Sequence, residues 1–249
     1  MIKPRINYKS AGDQALIAEF GNKISKEINE QVRAFAYLLE QQGLEGILET
    51  IPAYRSLMIH YNPLVIEEKA LITLLKEREK GLEGLEMPSP LITEIPTIYG
   101  GEYGPDLKGV AKHAGISEEE VIKVHSSGEY LIYMLGFTPG FPYLGGMDPR
   151  IAAPRLNNPR KKIPRGSVGI ADTQTGIYSL DSPGGWQLIG WTPVVLFDPG
   201  KKQPFLLKAG DYIKFCPINH EEYQEIERKI RDGCVPWNTY PKCEKKGSI

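Results

Sequence analysis

The stretch Leu-Gly-Phe-Thr-Pro-Gly-Phe-Pro-Tyr-Leu-Gly-Gly at residues 135–146 opens the segment that decides the fold. A basic run at 150–165 follows it, then Gly-Ser-Val-Gly-Ile-Ala-Asp-Thr-Gln-Thr-Gly-Ile-Tyr at 166–178 and Ser-Pro-Gly-Gly-Trp at 182–186. Twelve glycines and nine prolines fall between Gly128 and Gly200, interleaved with Phe137, Phe141, Tyr143, Tyr178, Trp186 and Trp191. A flexible linker of that glycine and proline content would lack such large apolar groups. Apolar triplets at 168–170 and 194–196 stand between the turn residues instead, which predicts short buried strands joined by tight turns, hence a barrel or sandwich. The glycines let backbone come close to a neighbouring strand or a ligand.

Outward from this segment the pattern changes. Residues 15–20 form a short apolar run between Gly12-Asp13 and Gly21-Asn22, a strand between turns. Residues 25–42 carry Ile28, Val32, Phe35, Leu38 and Leu39 at helical spacing with Gly43 behind them, an amphipathic helix with a glycine stop. Residues 46–61 alternate as a strand or hairpin interrupted by Pro52, and 67–80 repeat the helical pattern at Leu71, Leu74 and Leu75. Two such βα units predict a small α+β layer of ferredoxin-like type. Residues 81–90 lose all periodicity, so a domain of residues 1–86 is expected to precede one of residues 87–249. The second domain restarts with a strand at 92–99, whose Pro96 predicts an edge or a bulge. A short helix at 106–114 and a second one, opened by a capping box at Ser117-Glu118-Glu119-Glu120 and ending near His125, lead into the strands. Residues 210–215 are expected to close the barrel, 221–231 to form a terminal helix and 233–249 a loosely attached tail.

Hydrophobic residues at 41% and charged residues at 24% describe a soluble globular chain, and the formal net charge of -1 gives no whole-chain attraction to nucleic acid or anionic membrane. No apolar run approaches the ~20 residues of a membrane span, and Asp13, Gln14 and Glu19 break the only candidate signal peptide. Cys216, Cys234 and Cys243 are odd in number and lack C-x-x-C spacing, which favours a reducing cytoplasm and argues against a zinc site. The four histidines show no metal-ligand spacing, so no metal ligands are recognised.

The strongest charge feature is the basic run, with Arg150, Arg155, Arg160, Lys161, Lys162 and Arg165 and no acidic residue between positions 150 and 171. A guanidinium grips a carboxylate or phosphate with two parallel donors, so Arg155 and Arg165, each beside a proline, are candidates to hold an anionic substrate. His125, at a helix end where the macrodipole would raise its pKa, is a candidate general acid or base, with a helix cap as the structural alternative. Gln174 is a candidate neutral donor to a developing oxyanion at an amide or lactam carbonyl. Phe137, Thr138, Tyr143, Tyr178, Ser182, Gly184 and Trp186 complete a candidate binding set whose aromatic members could wall a pocket for a small ring. Aromatics in such a segment also fill barrels, and tight turns demand the same glycines. There is no G-x-x-x-x-G-K-[ST], no G-x-G-x-x-G after a strand, and no nucleophile elbow around Ser167, so ATP use would need an unconventional site or a partner chain.

The motifs 12–16, 103–107, 125–126, 136–145, 166–171, 174–178, 182–186 and 196–199 together resemble the family that groups allophanate hydrolase subunit 1, the kinase inhibitor KipI and the 5-oxoprolinase component PxpB. The resemblance runs nearly the full length. It implies an N-terminal α+β domain followed by a cyclophilin-like β-barrel. It also implies a subunit, inactive alone, that uses ATP with a homologous second barrel subunit and a third subunit to open 5-oxoproline to L-glutamate. Two other activities fit the same motifs: inhibition of histidine kinase autophosphorylation, and kinship with urea carboxylase or allophanate hydrolase. Asp172 stands where the family tends to carry a small residue, and Trp191 where it usually has a basic one. If that basic side chain binds a carboxylate, Arg155 or Arg165 must supply the charge here.

Overall fold

The computed structural model describes residues 6–242. The chain separates into two compact units, residues 1–88 and 89–249.

In the first unit, β1 (Asn7–Ser10) and β2 (Ala15–Glu19) form a hairpin, α1 (Lys26–Gln42) crosses the sheet, β3 (Ile47–Pro52) and β4 (Ser56–Tyr61) form a second hairpin, and α2 (Glu68–Arg78) follows. All pairings are antiparallel, in the order β1-β2-β4-β3. The α+β layer matches the sequence expectation, but the ferredoxin-like chain order does not, because the strand beside β2 comes from the N-terminus as β1. The sequence signalled this strand poorly: three of its four residues are exposed and offer no apolar alternation. Helix α1 starts where the Ser25 hydroxyl accepts the Ile28 N–H and stops at Gly43, whose φ of 52° is the left-handed cap. Its Val32, Phe35 and Leu39 meet Leu16, Leu57 and Ile59 of the sheet and Leu71 and Leu75 of α2 in one core.

The second unit begins with β5 (Leu91–Tyr99), α3 (Leu107–Ala114) and α4 (Glu118–Ser127). Strands β6 (Tyr130–Leu135), β7 (Pro142–Gly145), β8 (Arg160–Ile163), β9 (Ser167–Ala171), β10 (Gln174–Ile177), β11 (Ser182–Gly184) and β12 (Gln187–Trp191) follow. The chain finishes with β13 (Tyr212–Pro217), α5 (His220–Arg231) and β14 (Thr239–Pro241). The main path is β10-β9-β12-β5-β13-β6-β7, and its end strands β10 and β7 lie side by side, so the sheet is a nearly closed barrel. Strands β8 and β11 make a separate two-stranded ribbon. Inside lie Ile95, Ile132, Val168, Ile170, Ile177, Ile189, Ile213 and Phe215, against Leu107, Val110, Val121 and Val124 of the two helices.

Two expectations are corrected here. Pro96 is in a central strand, parallel to β13 along residues 92–97. It is tolerated because on its other side β14 ends near residue 94, where the Glu94 N–H meets the Asn238 carbonyl, and β12 pairs only from Ile98. Pro96 therefore falls in a gap between two partners, where a ladder donor has nothing to meet. The segment after 233 is no loose tail throughout, since Thr239, Tyr240 and Pro241 pair with Thr93, Ile92 and Leu91. Its last residues, Cys243 included, lie outside the described ones. Among the described residues no helix is long and apolar enough to cross a membrane, and no cluster of His, Cys, Asp and Glu has the makings of a metal site.

Candidate functional site

The β9–β10 hairpin sorts the candidate residues into two places. Its turn end carries Asp172, at a φ of 52°, and Gln174, paired across the ladder with Ala171. Its open end carries the Arg165-Gly166 turn, followed by Ser167, which lies opposite Trp191 of β12. Strands rise by about 3.3 Å per residue, so Gln174 and Arg165 stand on the order of 15 Å apart. One small lactam cannot reach both, and their expected pairing in a single site is not formed.

His125 is also displaced from its expected role. It is fully buried, with Nδ1 2.8 Å from the Tyr99 hydroxyl and Nε2 2.8 Å from Thr175 Oγ1. The Thr175 hydroxyl donates its one proton to the Gly169 carbonyl at 3.0 Å. It therefore accepts from Nε2–H, and Nδ1 accepts from Tyr99. Burial lowers the imidazole pKa to about 3, so the expected upward shift is reversed. A neutral ring locked between β5 and β10, with Tyr130 donating to its carbonyl at 2.6 Å, is a structural clasp.

The aromatic set packs into itself. Phe141 meets Tyr143, Tyr178 and Trp186 edge-on, with ring centroids 5.4 to 5.7 Å apart. Tyr178 and Trp186 are buried with Ile163, Ala171 and Leu188, and they fill a subsidiary core, which is the packing alternative of the sequence reading rather than a pocket for a small ring. Gly184 belongs to the same packing, because a Cβ there would sit 2.2 Å from the Tyr178 hydroxyl oxygen. Ser182 is buried nearby, and its hydroxyl has no hydrogen-bond partner among the described residues. Phe137 also meets Phe141 edge-on, at 5.6 Å, but stays 63% exposed at a φ of 63° in the loop between β6 and β7. Thr138, next in that loop, shares a hydrogen bond of 3.1 Å with Ser179.

The two candidate arginines have different fates. Arg155 lies 3.5 Å from the Asp172 carboxylate and 5.9 Å above the Trp186 ring, so the departure at 172 supplies the counter-charge for this guanidinium. Arg165 is fixed through its backbone, with its N–H donating to Asp181 Oδ1 at 2.9 Å and the other carboxylate oxygen bonded to Lys162. That lysine holds the Asp181 carboxyl below its ordinary range. Gly166, at a φ of 85°, turns the chain, donates to the Tyr178 carbonyl and accepts from Thr192 N–H. A Cβ at 166 would stand 2.4 Å from the Thr192 carbonyl and 3.0 Å from the Trp191 indole nitrogen, so glycine is what lets Arg165 lie beside Trp191.

The Arg165 turn opens into a cavity of about 320 Å³. One wall is Arg165, Ser179, Trp191 and Thr192, and the other is the α5 face of Tyr223, Glu227 and Arg231. Burial, with Glu227 beside it, pushes the Tyr223 phenol up to about 12. Of the sequence-predicted residues only Arg165 lines this space. Helix α5 was legible as a helix, but nothing in its pattern tied it to a strand end 30 or more residues earlier. A second missed group is Asp106, which accepts from Arg160 at 2.8 Å and from the Leu188 N–H at 2.6 Å, tying α3 to β12 and to the basic run.

Against known proteins, the model of the carboxyltransferase domain, subdomain C and D, matches residues 6–207. A Bacillus subtilis protein named as a subunit of 5-oxoprolinase is 45% identical over 90% of this chain and 98% of its own length. The Escherichia coli O157:H7 protein of the same name is 42% identical over 83% of this chain and 93% of its own. The crystal structure of TTHA0988 superposes with a TM-score of 0.74 at 38% identity, covering 83% of this chain but 40% of that longer one. With the barrel, the preceding α+β layer and a match over most of its length, the chain belongs to the carboxyltransferase domain family of subdomains C and D.

Proposed function

We propose that this chain is the corresponding subunit of an ATP-dependent 5-oxoprolinase, a two-domain cytoplasmic protein that acts with a homologous barrel subunit and a third subunit. The observation that carries the proposal is 45% identity to the Bacillus subtilis 5-oxoprolinase subunit across 98% of the relative's length. The chemistry fits a shared site. A γ-lactam carbonyl is a poor electrophile, so transfer of the ATP γ-phosphoryl group to its oxygen, releasing ADP, makes C5 attackable by water. Cleavage of the C–N bond then places a proton on nitrogen and leaves an acyl phosphate, which a second water converts to glutamate and phosphate. This chain's part is to bind and orient: the Arg165 guanidinium holds the carboxylate of 5-oxoproline beside Trp191. His125 is too deeply buried to move protons here, and Gln174 is too distant to share the ligand.

The test is ATP-dependent glutamate release from 5-oxoproline by the chain alone and then with its partner subunits. Turnover only in the mixture supports the proposal, and a stable complex without turnover removes it. Within an active complex, Arg165→Ala should raise KM for 5-oxoproline at least tenfold, from loss of a charged hydrogen-bonding pair worth about 1.5–3 kcal/mol. Arg155→Ala, which removes a guanidinium that already faces Asp172 and does not line the cavity, should change KM less than twofold.

A further inference from the structure

Helix α5 lies beyond residue 207, where the family match ends, yet it forms half of the cavity at Arg165. Resting on the proposed 5-oxoprolinase role, we propose that Arg231 of α5 is the second guanidinium of the carboxylate subsite, and that α5 thereby selects small ring carboxylates over neutral lactams.

Three observations carry this. First, Arg165 and Arg231 enter one cavity from different elements, which is the arrangement that brackets a carboxylate from two sides. Second, among the described residues the only acidic side chain lining the cavity is Glu227, 3.7 Å from Arg231 and one turn before it. That spacing sets a carboxylate beside one of the two positive charges while no ligand is bound, and the exposed pair is weak enough for Arg231 to turn to a ligand. The same carboxylate is an acceptor for a lactam N–H, which a ligand with both a carboxylate and a ring amide would satisfy. Third, Trp191 supplies an apolar ring surface in the same wall, held beside Arg165 by the Gly166 approach. The register of α5 is fixed from its start by the reciprocal capping box of Asn219 and Glu222, so Arg231 is presented by a defined element.

The test reads binding in the full chain as well as turnover in the complex. Tryptophan fluorescence is titrated with 5-oxoproline and with 2-pyrrolidone, the same lactam without its carboxylate, and Trp191→Phe identifies the responding indole. The wild-type chain should prefer 5-oxoproline by at least tenfold. Arg231→Ala should weaken 5-oxoproline about tenfold or more and leave 2-pyrrolidone unchanged, and Arg231→Lys should restore part of the loss. In the assembled complex Arg231→Ala should raise KM for 5-oxoproline by the same factor with kcat within about twofold. Arg231 is exposed, so its truncation should leave folding intact, and unfolding measured in denaturant verifies that. If Arg231→Ala binds both lactams as the wild type does and keeps its KM, the inference fails while the 5-oxoprolinase role stands. If the wild-type complex opens no 5-oxoproline, that role fails, and the titration still decides whether Arg231 selects a carboxylate.

Discussion

The buried His125 makes acid sensitivity of the second unit calculable. Its imidazole has a pKa lowered to about 3 by burial against an ordinary 6.5, so between those values the unfolded chain binds a proton that the folded one refuses. Stability from this group is present above pH 6.5 and is lost as pH falls toward 3. In the middle of that window the slope is about 1.4 kcal/mol per pH unit, and between pH 7.5 and pH 5 the loss sums to about 2 kcal/mol. The interval from pH 7.5 to pH 5 lies above ordinary carboxylate pKa values, and comparison with His125→Asn assigns the loss to this histidine among the four. All three tryptophans, Trp186, Trp191 and Trp237, belong to the second unit, so their fluorescence in a urea titration reports that unit alone. The wild type should lose about 2 kcal/mol between the two pH values. His125→Asn should be less stable at both, having lost hydrogen bonds to Tyr99 or Thr175, but should lose little more on acidification. A variant with the full wild-type acid loss would show that His125 is not the titrating group and would refute its assignment as a neutral clasp.

Gly166→Ala should cost at least about 2 kcal/mol, because the left-handed backbone alone is unfavourable by roughly 1–2 kcal/mol for an alanine and its Cβ would meet the Thr192 carbonyl at 2.4 Å. Denaturant titration measures the loss, and a rise in KM for 5-oxoproline should accompany it as Arg165 shifts. Asp106→Ala should destabilise by about 2–3 kcal/mol, since it removes the counter-charge of Arg160, which keeps only the Trp186 carbonyl, and leaves the Leu188 N–H without its acceptor in a half-buried setting. Removing Arg160 as well should cost less than the sum of the two single changes, and a strictly additive double mutant would mean that the pair is not coupled.

Local signals in the sequence were legible where a residue's role is decided by its neighbours. Ser25 and Gly43 delimit α1, and the apolar positions of 67–80 give α2 its buried Leu71 and Leu75. The strand-rich segment after 130 does form a barrel. Errors arose where a partner comes from far along the chain. His125 looked like a helix-end histidine open to the macrodipole, but Tyr99 and Thr175 reach it across 26 and 50 residues and remove it from water. Phe141, Tyr178 and Trp186 carry no mark that separates a ligand wall from a packed cluster. Only their mutual edge-on contacts decide it. Arg155 and Arg165 are indistinguishable as proline-flanked cations. They separate because one faces the carboxylate at a hairpin turn and the other a cavity.

That separation bears on Asp172. At a φ of 52° an aspartate is tolerated because its short side chain can live in the left-handed region, whereas glycine would occupy it without strain. Asp172→Gly should therefore be neutral to slightly stabilising, within about 1 kcal/mol. It would also remove the carboxylate 3.5 Å from Arg155. If charge near the hairpin were what the substrate needs, unmasking Arg155 in this way would recover part of the affinity lost in Arg165→Ala. Arg155 stands over Trp186 at the turn end, and the cavity lies at the opposite end of the same ladder. The double variant Asp172→Gly/Arg165→Ala should therefore keep the raised KM of Arg165→Ala. Recovery would move the carboxylate subsite to the turn end, beside Gln174, and with it the place where α5 could act.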